Sequence, residues 1–351
     1  MMIKNGGAVI QALIDAAAAS GTGRAEVRGC YEIEKTVVLP SDFTLVLEDC
    51  RLTMAEGTFC NMFTNAGCLH AGKRIAADAD HDIHIEGRGR VILDGGVYNG
   101  LSEQNQLTGG RPHISVNNLL LFVNVERFHI SGLHIRNQRW WAMNFLYCRF
   151  GVIRDIDFCA DDTMRDENGN LFHGLSWTEH GGYGNVCVKN ADGIDLRLGC
   201  HDILLENITG FTEDDTVALT ALHGDLEQLY AVEDLPDEIH NVTIRSVNAA
   251  AYCAIIRLLN QGGTRLYNIL IDGVTDASAT SPHLDRGEHA VRIGDKHPYG
   301  GRQPVPEELF NIIVRNVFSR ARFSLRVSCP TGFLHTENIL TFDGGGSEIR
   351  E

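Results

Sequence analysis

The feature that most constrains the fold is a short phrase that recurs along the chain. Each copy has two brief apolar alternations separated by a polar residue or glycine. The copies are HDIHIEGRGRVI (81–92), RFHISGLHIRN (127–137), RFGVIRDIDF (149–158), HDILLENITGF (201–211), HNVTIRSVNA (240–249), YNILIDGVTD (267–276) and FNIIVRNVFS (310–319). Because their β-branched residues alternate with a period of two, the copies predict strands with one buried face.

The spacing of these copies predicts a solenoid. The copies that begin at residues 127 and 149 are 22 residues apart, and no strong helical pattern connects the copies. A period in the twenties, made of short strands and tight turns, is typical of stacked coils that bury one continuous core. We therefore predict an all-β, right-handed parallel β-helix that forms a single domain over residues 1–351. An antiparallel sandwich or a propeller is the alternative.

Residues 1–25 carry a helical pattern instead. Their apolar residues recur at the spacing of one helix face, which predicts a short amphipathic helix capping one end of the fold. Asp15 interrupts the apolar run and only Lys4 precedes it, so this segment is unlike a signal peptide. No run approaches the roughly 18 apolar residues of a membrane span. We expect a cytoplasmic protein without membrane contact; a secreted protein whose signal segment has been removed is the alternative.

Two further segments interrupt the repeat and are predicted to be loops inserted between coils. Residues 159–184 are polar, aromatic and rich in glycine, and residues 222–239 are acidic and include Pro236. Insertions of this kind commonly flank the binding face of a solenoid. The alternative is that both are surface loops without a function.

The charge of the chain limits its partners. Lys and Arg number 30 against 46 Asp and Glu, which gives a formal net charge of −16. That balance disfavours general binding to nucleic acid or to anionic membranes. It is compatible with a sugar substrate, including an anionic sugar held in a locally basic cleft.

Three aspartates carry the strongest chemical signal. Asp192 begins the strand phrase ADGIDL, and Asp214 and Asp215 begin the corresponding phrase EDDTVAL. The 22 residues from Asp192 to Asp214 make one coil, so stacking should place the three carboxylates on one face. Their mutual repulsion should raise at least one pKa, which gives a proton donor beside ionised neighbours for glycosidic hydrolysis. Strand alternation should turn Asp195 away from this face or place it further along the face, so we leave it out of the centre.

Two other roles are open to these aspartates. Asp commonly caps turns, and adjacent carboxylates suit calcium. The offset of a DG and a DD sequence by one coil favours a catalytic centre instead. We expect no metal and no other cofactor.

The acidic segment resembles a known enzyme family. Asn190-Ala191-Asp192-Gly193 and Asp214-Asp215 are similar to the NTDG-type and DD motifs of glycoside hydrolase family 28. These are the polygalacturonase-type enzymes of the pectin-lyase-like β-helix superfamily. The stretch 111–145 also resembles the approach to the active coils in that family. The resemblance spans residues 80–320 and is specific over 111–220.

This resemblance implies an inverting hydrolase that uses no metal. Asp214 would be the general acid, and Asp192 and Asp215 would position and activate the water. Asn190, in the first motif, is a candidate substrate ligand.

Two motifs of the family are incomplete here. Its Gly-His-Gly motif is absent, and Tyr252 or Cys253 stands where the His would be. Its Arg-Ile-Lys motif, which reads the substrate carboxylate, appears as Arg292-Ile293-Gly294 with Lys296 close by. Arg292 and Lys296 are therefore candidate substrate ligands, and galacturonate specificity is left open.

Arg257 and Trp141 complete the candidate substrate ligands. Arg257 lies on the intervening coil, where it could grip a carboxylate bidentately or hydrogen-bond sugar hydroxyls. Its alternative is an ordinary surface salt bridge. Trp141 could offer an apolar face to a sugar ring, or it could pack in the core.

We predict a glycoside hydrolase that cleaves an oligo- or polysaccharide of a uronate- or rhamnose-containing, pectin-like kind. One alternative is a polysaccharide lyase or epimerase on the same fold, with the arginines stabilising the charge that develops. Another is a non-catalytic carbohydrate-binding β-helix. The acidic cluster argues against that last reading, since pure binding gains little from mutual carboxylate repulsion.

Overall fold

The computed structural model describes residues 2–56, 58–69, 74–96, 114–138, 141–160, 163–166, 171–173, 186–187, 192–282, 284–295 and 301–349. For residues 69, 114, 163–166, 171–173 and 186–187 it describes the backbone alone.

The described residues are almost entirely β-strand. The strands are β1 Met2–Ile3, β2 Arg24–Ile33, β3 Val37–Leu39, β4 Phe43–Met54, β5 Phe63–Asn65, β6 Asp80–Arg88, β7 Ile92–Asp94, β8 Leu120–Val123, β9 Val125–Arg136, β10 Trp141–Leu146, β11 Arg149–Cys159, β12 Thr163–Asp166, β13 Leu171–His173, β14 Val186–Cys187, β15 Asp192–Leu196, β16 His201–Thr212, β17 Asp215–Ala221, β18 Ile239–Ala251, β19 Ala254–Asn260, β20 Leu266–Asp276, β21 His289–Ile293, β22 Leu309–Ser319, β23 Phe323–Val327, β24 Leu334–Thr341 and β25 Gly346–Ile349. Two α-helices, α1 Gly6–Ala19 and α2 Asp225–Leu229, occur in the described residues.

Two long sheets contain nearly all of these strands. The first sheet has the order β1-β2-β4-β6-β9-β11-β16-β18-β20-β22-β24, and β7 pairs with β4 and β9 beside it. The second has the order β3-β5-β8-β10-β15-β17-β19-β21-β23-β25. Neighbouring strands are parallel in both sheets, and the chain passes from one sheet to the other in each coil. The prediction of a parallel β-helix is therefore confirmed.

An asparagine ladder marks one corner of the stacked coils. It consists of Asp202, Asn241, Asn268 and Asn311, whose φ values lie between 51° and 55°. Asn and Asp are the non-glycine residues that best tolerate this left-handed conformation. Each Asn side-chain NH₂ in the ladder donates to the side-chain oxygen of the coil before, at 2.9 to 3.0 Å. The Asp or Asn at the second position of these four copies is thus the residue that turns the chain.

The inner face of the first sheet is an aliphatic ladder. In-register pairing stacks, coil upon coil, Ile85, Ile130, Ile153, Leu205, Ile244, Ile271 and Val314. Each of these side chains is fully buried, and all belong to the continuous core between the two sheets. No single coil encloses this core, so its burial depends on the stacking.

Helix α1 covers the first coil, as the amphipathic pattern predicted. Ile10 and Ile14 are fully buried, while Val9 and Leu13 on the next face are 39% and 42% exposed. The helix packs on β2 and β3, the strands of the first coil. The Glu34 carboxylate accepts hydrogen bonds at 3.1 Å from the first-turn N–H groups of Gly7 and Ala8. Among the described residues, no helix is long and apolar enough to cross a membrane.

The two predicted insertions differ in what the structure describes. Cys159, at the start of the first, still belongs to β11. Most of 159–184 lies outside the described residues, and its described part contributes β12 and β13, which form a small antiparallel sheet with β14. The second insertion contains α2. Its buried side chains form a separate apolar cluster with the coil: Tyr147, Leu198, Leu226, Tyr230 and Val232.

The aliphatic ladder on the inner face of the first sheet predicts how a core substitution changes stability. We expect Ile244→Ala to lower the free energy of unfolding by about 2–5 kcal/mol, because it leaves a cavity between stacked neighbours. Chemical denaturation followed by circular dichroism measures the change. The matched control is Thr243→Ala, the preceding residue of β18, which is only partly buried. If the two variants lost the same free energy of unfolding, the aliphatic ladder would not be the main source of stability in β18.

Candidate active site

The beginnings of β15 and β17 lie side by side and bring two aspartates into contact. The register pairs Ile194 with Val217, which sets Asp192 opposite Asp215. The backbone N–H of Asp215 donates to Asp192 Oδ1 at 2.9 Å, across 23 residues of sequence. Gly193 permits this approach, since a Cβ there would lie 2.5 Å from the Thr216 carbonyl oxygen. Stacking therefore joins the two acidic motifs with an offset one residue longer than the sequence spacing suggested.

The three predicted carboxylates differ in exposure. Asp192 is 7% exposed and Asp215 is 1% exposed, so both are nearly removed from water. Asp214, which precedes β17, is half-buried. Asp214 is consequently the member of the trio that is most accessible to a ligand from solvent.

Asp195 belongs to this acidic group, so the expectation that strand alternation removes it was wrong. It is 1% exposed, and its charge interacts with those of Asp192, Asp214 and Asp215. Alternation does turn Asp195 outward from the core, but the outer face of β15 is itself covered. Among the described residues, neither of its carboxylate oxygens has a hydrogen-bond partner.

Burial is the largest cause of the proton affinity of this cluster. It raises the pKa of Asp195 to about 7, and Asp214 and Asp215 add to the effect while Arg197 opposes it. It also raises the pKa of Asp215 to about 6 despite the opposing Arg257 guanidinium. Burial raises the pKa of Asp192 well above its usual range too, with repulsion from the neighbouring aspartates as the smaller cause. The cluster therefore retains protons close to neutral pH.

An arginine and aspartate network adjoins the acidic cluster. Arg257 Nη1 donates to Asp215 Oδ2 at 3.1 Å, and its Nη2 donates to Asp295 Oδ2 at 2.7 Å. Arg292 hydrogen-bonds the other oxygen of Asp295. Register places Arg257 between Ala218 and Arg292 in one row on the outer face of the second sheet. Both predicted arginines thus lie next to the acidic centre, each already bound to a carboxylate.

Cys253 is one of the two residues that stand at the position of the missing Gly-His-Gly histidine, and it lies beside the acidic cluster. The register pairs Asp215 with Ala254, so Cys253 is beside Asp214. Burial raises the pKa of the Cys253 thiol well above its usual range, and the two aspartates raise it further. One coil on, burial lowers the pKa of His289 to about 3, which keeps the imidazole neutral. The Nδ1 of His289 is 3.0 Å from the Cys253 carbonyl oxygen, to which it can donate.

Trp141 is tied to a second buried ion pair. The Arg197 guanidinium carbon lies 3.7 Å from the centre of the Trp141 ring. Arg197 Nη1 donates to the Glu227 carboxylate at 2.6 Å, and its Nη2 is 3.6 Å from Asp195. Arg197 therefore covers one face of the Trp141 ring, which was predicted to contact a sugar. Glu227 also lines a cavity of about 470 Å³ beside the second insertion, whose wall contains none of the three predicted catalytic aspartates.

Two predicted ligands, Asn190 and Lys296, lie outside the described residues. Asp195, Arg197, Glu227 and Asp295 are the additions that the structure makes to the predicted site. The sequence signal for Asp195 was present in ADGIDL, because it lies on the same short strand as Asp192. Nothing comparable marked Glu227, which comes from the insertion.

The group Asp214, Asp215 and Cys253 has metal-ligating atoms within 4.8 Å of one another. Its donor set fits calcium poorly, since one of the three atoms is a sulfur. The thiol is also held protonated, and Asp215 is already paired with Arg257. The chemistry that suits the arrangement is proton transfer among closely spaced carboxyl groups.

Comparisons with known proteins support the fold. No protein-family profile matches the chain, and no curated protein sequence matches it. The structure is similar to an exopolygalacturonase from Thermotoga maritima, with a TM-score of 0.56 and 14% identity over 93% of this chain and 83% of that chain.

Two other proteins of similar structure are not described as polygalacturonases. A surface adhesin of Streptococcus pneumoniae has a TM-score of 0.53 and 13% identity over 91% of this chain and 70% of that chain. A tailspike protein of E. coli bacteriophage HK620 has a TM-score of 0.50 and 11% identity over 97% of this chain and 59% of that chain. The likeness establishes a shared β-helix fold, and one fold can host several functions.

The raised pKa of Asp195 predicts a pH-dependent stability. Its pKa is about 7 in the folded chain, against about 3.9 for Asp in an unfolded chain. The stability it contributes is therefore full below pH 4 and is lost as the pH rises to 7. Since Asp195→Asn lacks this titration, we expect its free energy of unfolding, relative to wild type, to rise from pH 4 to pH 8 in denaturation experiments.

Asp272→Asn is the matched control. A hydrogen bond from Arg315 lowers the pKa of Asp272, so its contribution is present above pH 4 and is lost at lower pH. From pH 4 to pH 8 the difference in stability between Asp272→Asn and wild type should therefore stay constant. A flat difference between Asp195→Asn and wild type across this range would contradict the assignment.

Proposed function

We propose that this protein is a glycoside hydrolase that cleaves an oligo- or polysaccharide by an inverting acid–base mechanism. The contact between Asp192 and Asp215, with the more exposed Asp214 beside them, is the observation that carries the proposal. Hydrolysis of a glycosidic bond needs one carboxyl group to give a proton and another to take one. A cluster that retains protons near neutral pH suits both tasks.

In this proposal Asp214 is the general acid. It donates its proton to the glycosidic oxygen as the bond from that oxygen to the anomeric carbon breaks. A water attacks the anomeric carbon from the opposite side and loses a proton to Asp215, with Asp192 holding the water in place. Arg257 keeps Asp215 in its ionised form more of the time, because the guanidinium opposes the effect of burial on the Asp215 pKa.

The exopolygalacturonase likeness supports a polysaccharide substrate but does not select the reaction. A lyase would use the same arginines to stabilise a carbanion beside a uronate carboxylate and would release an unsaturated sugar. A binding protein would release nothing. The identity of the product therefore separates these functions.

The first test is the product of hydrolysis in ¹⁸O-water. We expect wild type, given a panel of uronate and neutral oligosaccharides, to release a product that is one water heavier and labelled with ¹⁸O. Asp214→Asn should lower kcat by at least about 100-fold, because it removes the proton donor. Mass spectrometry of the product and nuclear magnetic resonance of the first anomer formed measure both points.

Asp285→Asn is the control, since the Asp285 side chain is 95% exposed. It should retain the wild-type rate. An unsaturated product without added water would replace the hydrolase with a lyase. Binding without any product from the panel would favour the carbohydrate-binding alternative.

The pairing of Arg257 with Asp215 predicts the pH profile. If Asp215 accepts the proton from water, the acidic limb of kcat/KM should lie near its pKa of about 6. Arg257→Gln removes the charge that opposes protonation, so this limb should move to higher pH. Arg257→Lys keeps a positive charge and should move it less. An unchanged limb in Arg257→Gln would exclude Asp215 as the base.

A further inference from the structure

The chain places one of its own carboxylates on the two arginines of the site. Asp295 Oδ2 accepts from Arg257 Nη2 at 2.7 Å, and Asp295 Oδ1 accepts from Arg292 Nη2. Asp295 is 5% exposed, so the pairing is shielded from water. Each guanidinium gives one charge-assisted hydrogen bond to a different oxygen of Asp295, so this carboxylate bridges the two arginines. The strongest carboxylate-binding groups on this face are thus already engaged by the protein.

The local backbone enforces this arrangement. Gly294 has a φ of 71°, which turns the chain sharply between Arg292 and Asp295. A Cβ on Gly294 would lie 2.0 Å from Cys329 Sγ, so the next coil also requires glycine there. Gln303 then donates from Nε2 to the backbone oxygen of Asp295 at 2.6 Å. Asp295 is consequently fixed on the arginines by the turn at Gly294 and by the hydrogen bond from Gln303.

The arginines around the site are already paired with carboxylates of the chain itself. The two arginines share Asp215 and Asp295, and the nearby Arg197 is paired with Glu227. A substrate carboxylate that paired with these arginines would displace Asp295 and leave it buried without its partners. That outcome carries a large electrostatic cost.

We propose that Asp295 excludes acidic sugars, so that the subsite over Arg257 and Arg292 takes an uncharged sugar ring, such as a neutral hexose or deoxyhexose. This inference rests on the proposed hydrolase function. It assigns Asp295 as the specificity-determining residue of that site. The hydroxyls of a neutral ring can hydrogen-bond this face without separating the arginines from Asp295.

The test compares substrates that differ only at carbon 6. The pairs are the p-nitrophenyl α-galactoside with the α-galacturonide, and the β-glucoside with the β-glucuronide; the α-L-rhamnoside extends the neutral set. For wild type we expect kcat/KM to be at least about 100-fold higher on the neutral member of a hydrolysed pair. For Asp295→Asn this ratio should fall at least about tenfold, because the arginines are then available to the uronate.

The control is Asp272→Asn, which breaks an ion pair with Arg315 on the first sheet. It should leave the ratio at the wild-type value. A wild-type preference for the uronide, or an unchanged ratio in Asp295→Asn, would overturn the inference. If Asp295→Asn does not fold, the wild-type ratio of kcat/KM on the neutral and acidic substrates tests the inference: a preference for the neutral substrate supports it and a preference for the uronide overturns it.

A binding measurement tests the inference even if the proposed hydrolase function is wrong. If wild type hydrolyses none of these substrates, calorimetric titration compares its binding to trigalacturonate and to the same trisaccharide reduced to neutral galactose units. Tighter binding of the neutral sugar would support the inference although the hydrolase proposal had failed. Tighter binding of the uronate, or binding of neither sugar, would overturn it.

Discussion

In-register hydrogen bonding between parallel coils is the constraint on which the rest of this structure depends. It places residues separated by one coil in the sequence next to each other in space, whatever their chemistry. The same rule stacks the aliphatic side chains of the core and the asparagines of the corner. It also stacks Asp192 on Asp215, two groups that would repel each other if both were charged. The backbone register, set over many strands, holds them in place.

This rigidity explains the character of the acidic centre. Flexible side chains on a surface would move their carboxylates apart and into water, but these aspartates lie at the beginnings of buried strands. Burial therefore contributes more to their raised pKa values than mutual repulsion does. Arg257 lowers the pKa of Asp215 but does not cancel the increase that burial causes. Keeping carboxyl groups buried in this way costs folding stability as the pH rises and their protons are lost.

The period of the sequence was sufficient to predict the fold and to bring Asp192 beside the Asp214-Asp215 pair, although the expected offset of 22 residues was one residue short of the observed register. It was insufficient for Asp195, since alternation tells which side of a strand a residue occupies but not what covers that side. It was also insufficient for Asp295, which reaches the arginines only because Gly294 turns the chain. Contacts such as that of Arg197 with Glu227 join the turn after β15 to an insertion, and no repeat pattern encodes them.

The link between Glu227 and Arg197 has an evolutionary consequence. Arg197 opposes the protonation of Asp195, and the insertion supplies the carboxylate that neutralises Arg197. Changes in the length or sequence of that insertion can therefore retune the acidity of the centre while every strand stays the same. Descendants of such a chain could shift the pKa values of the acidic cluster through a segment that lies outside the repeated strands.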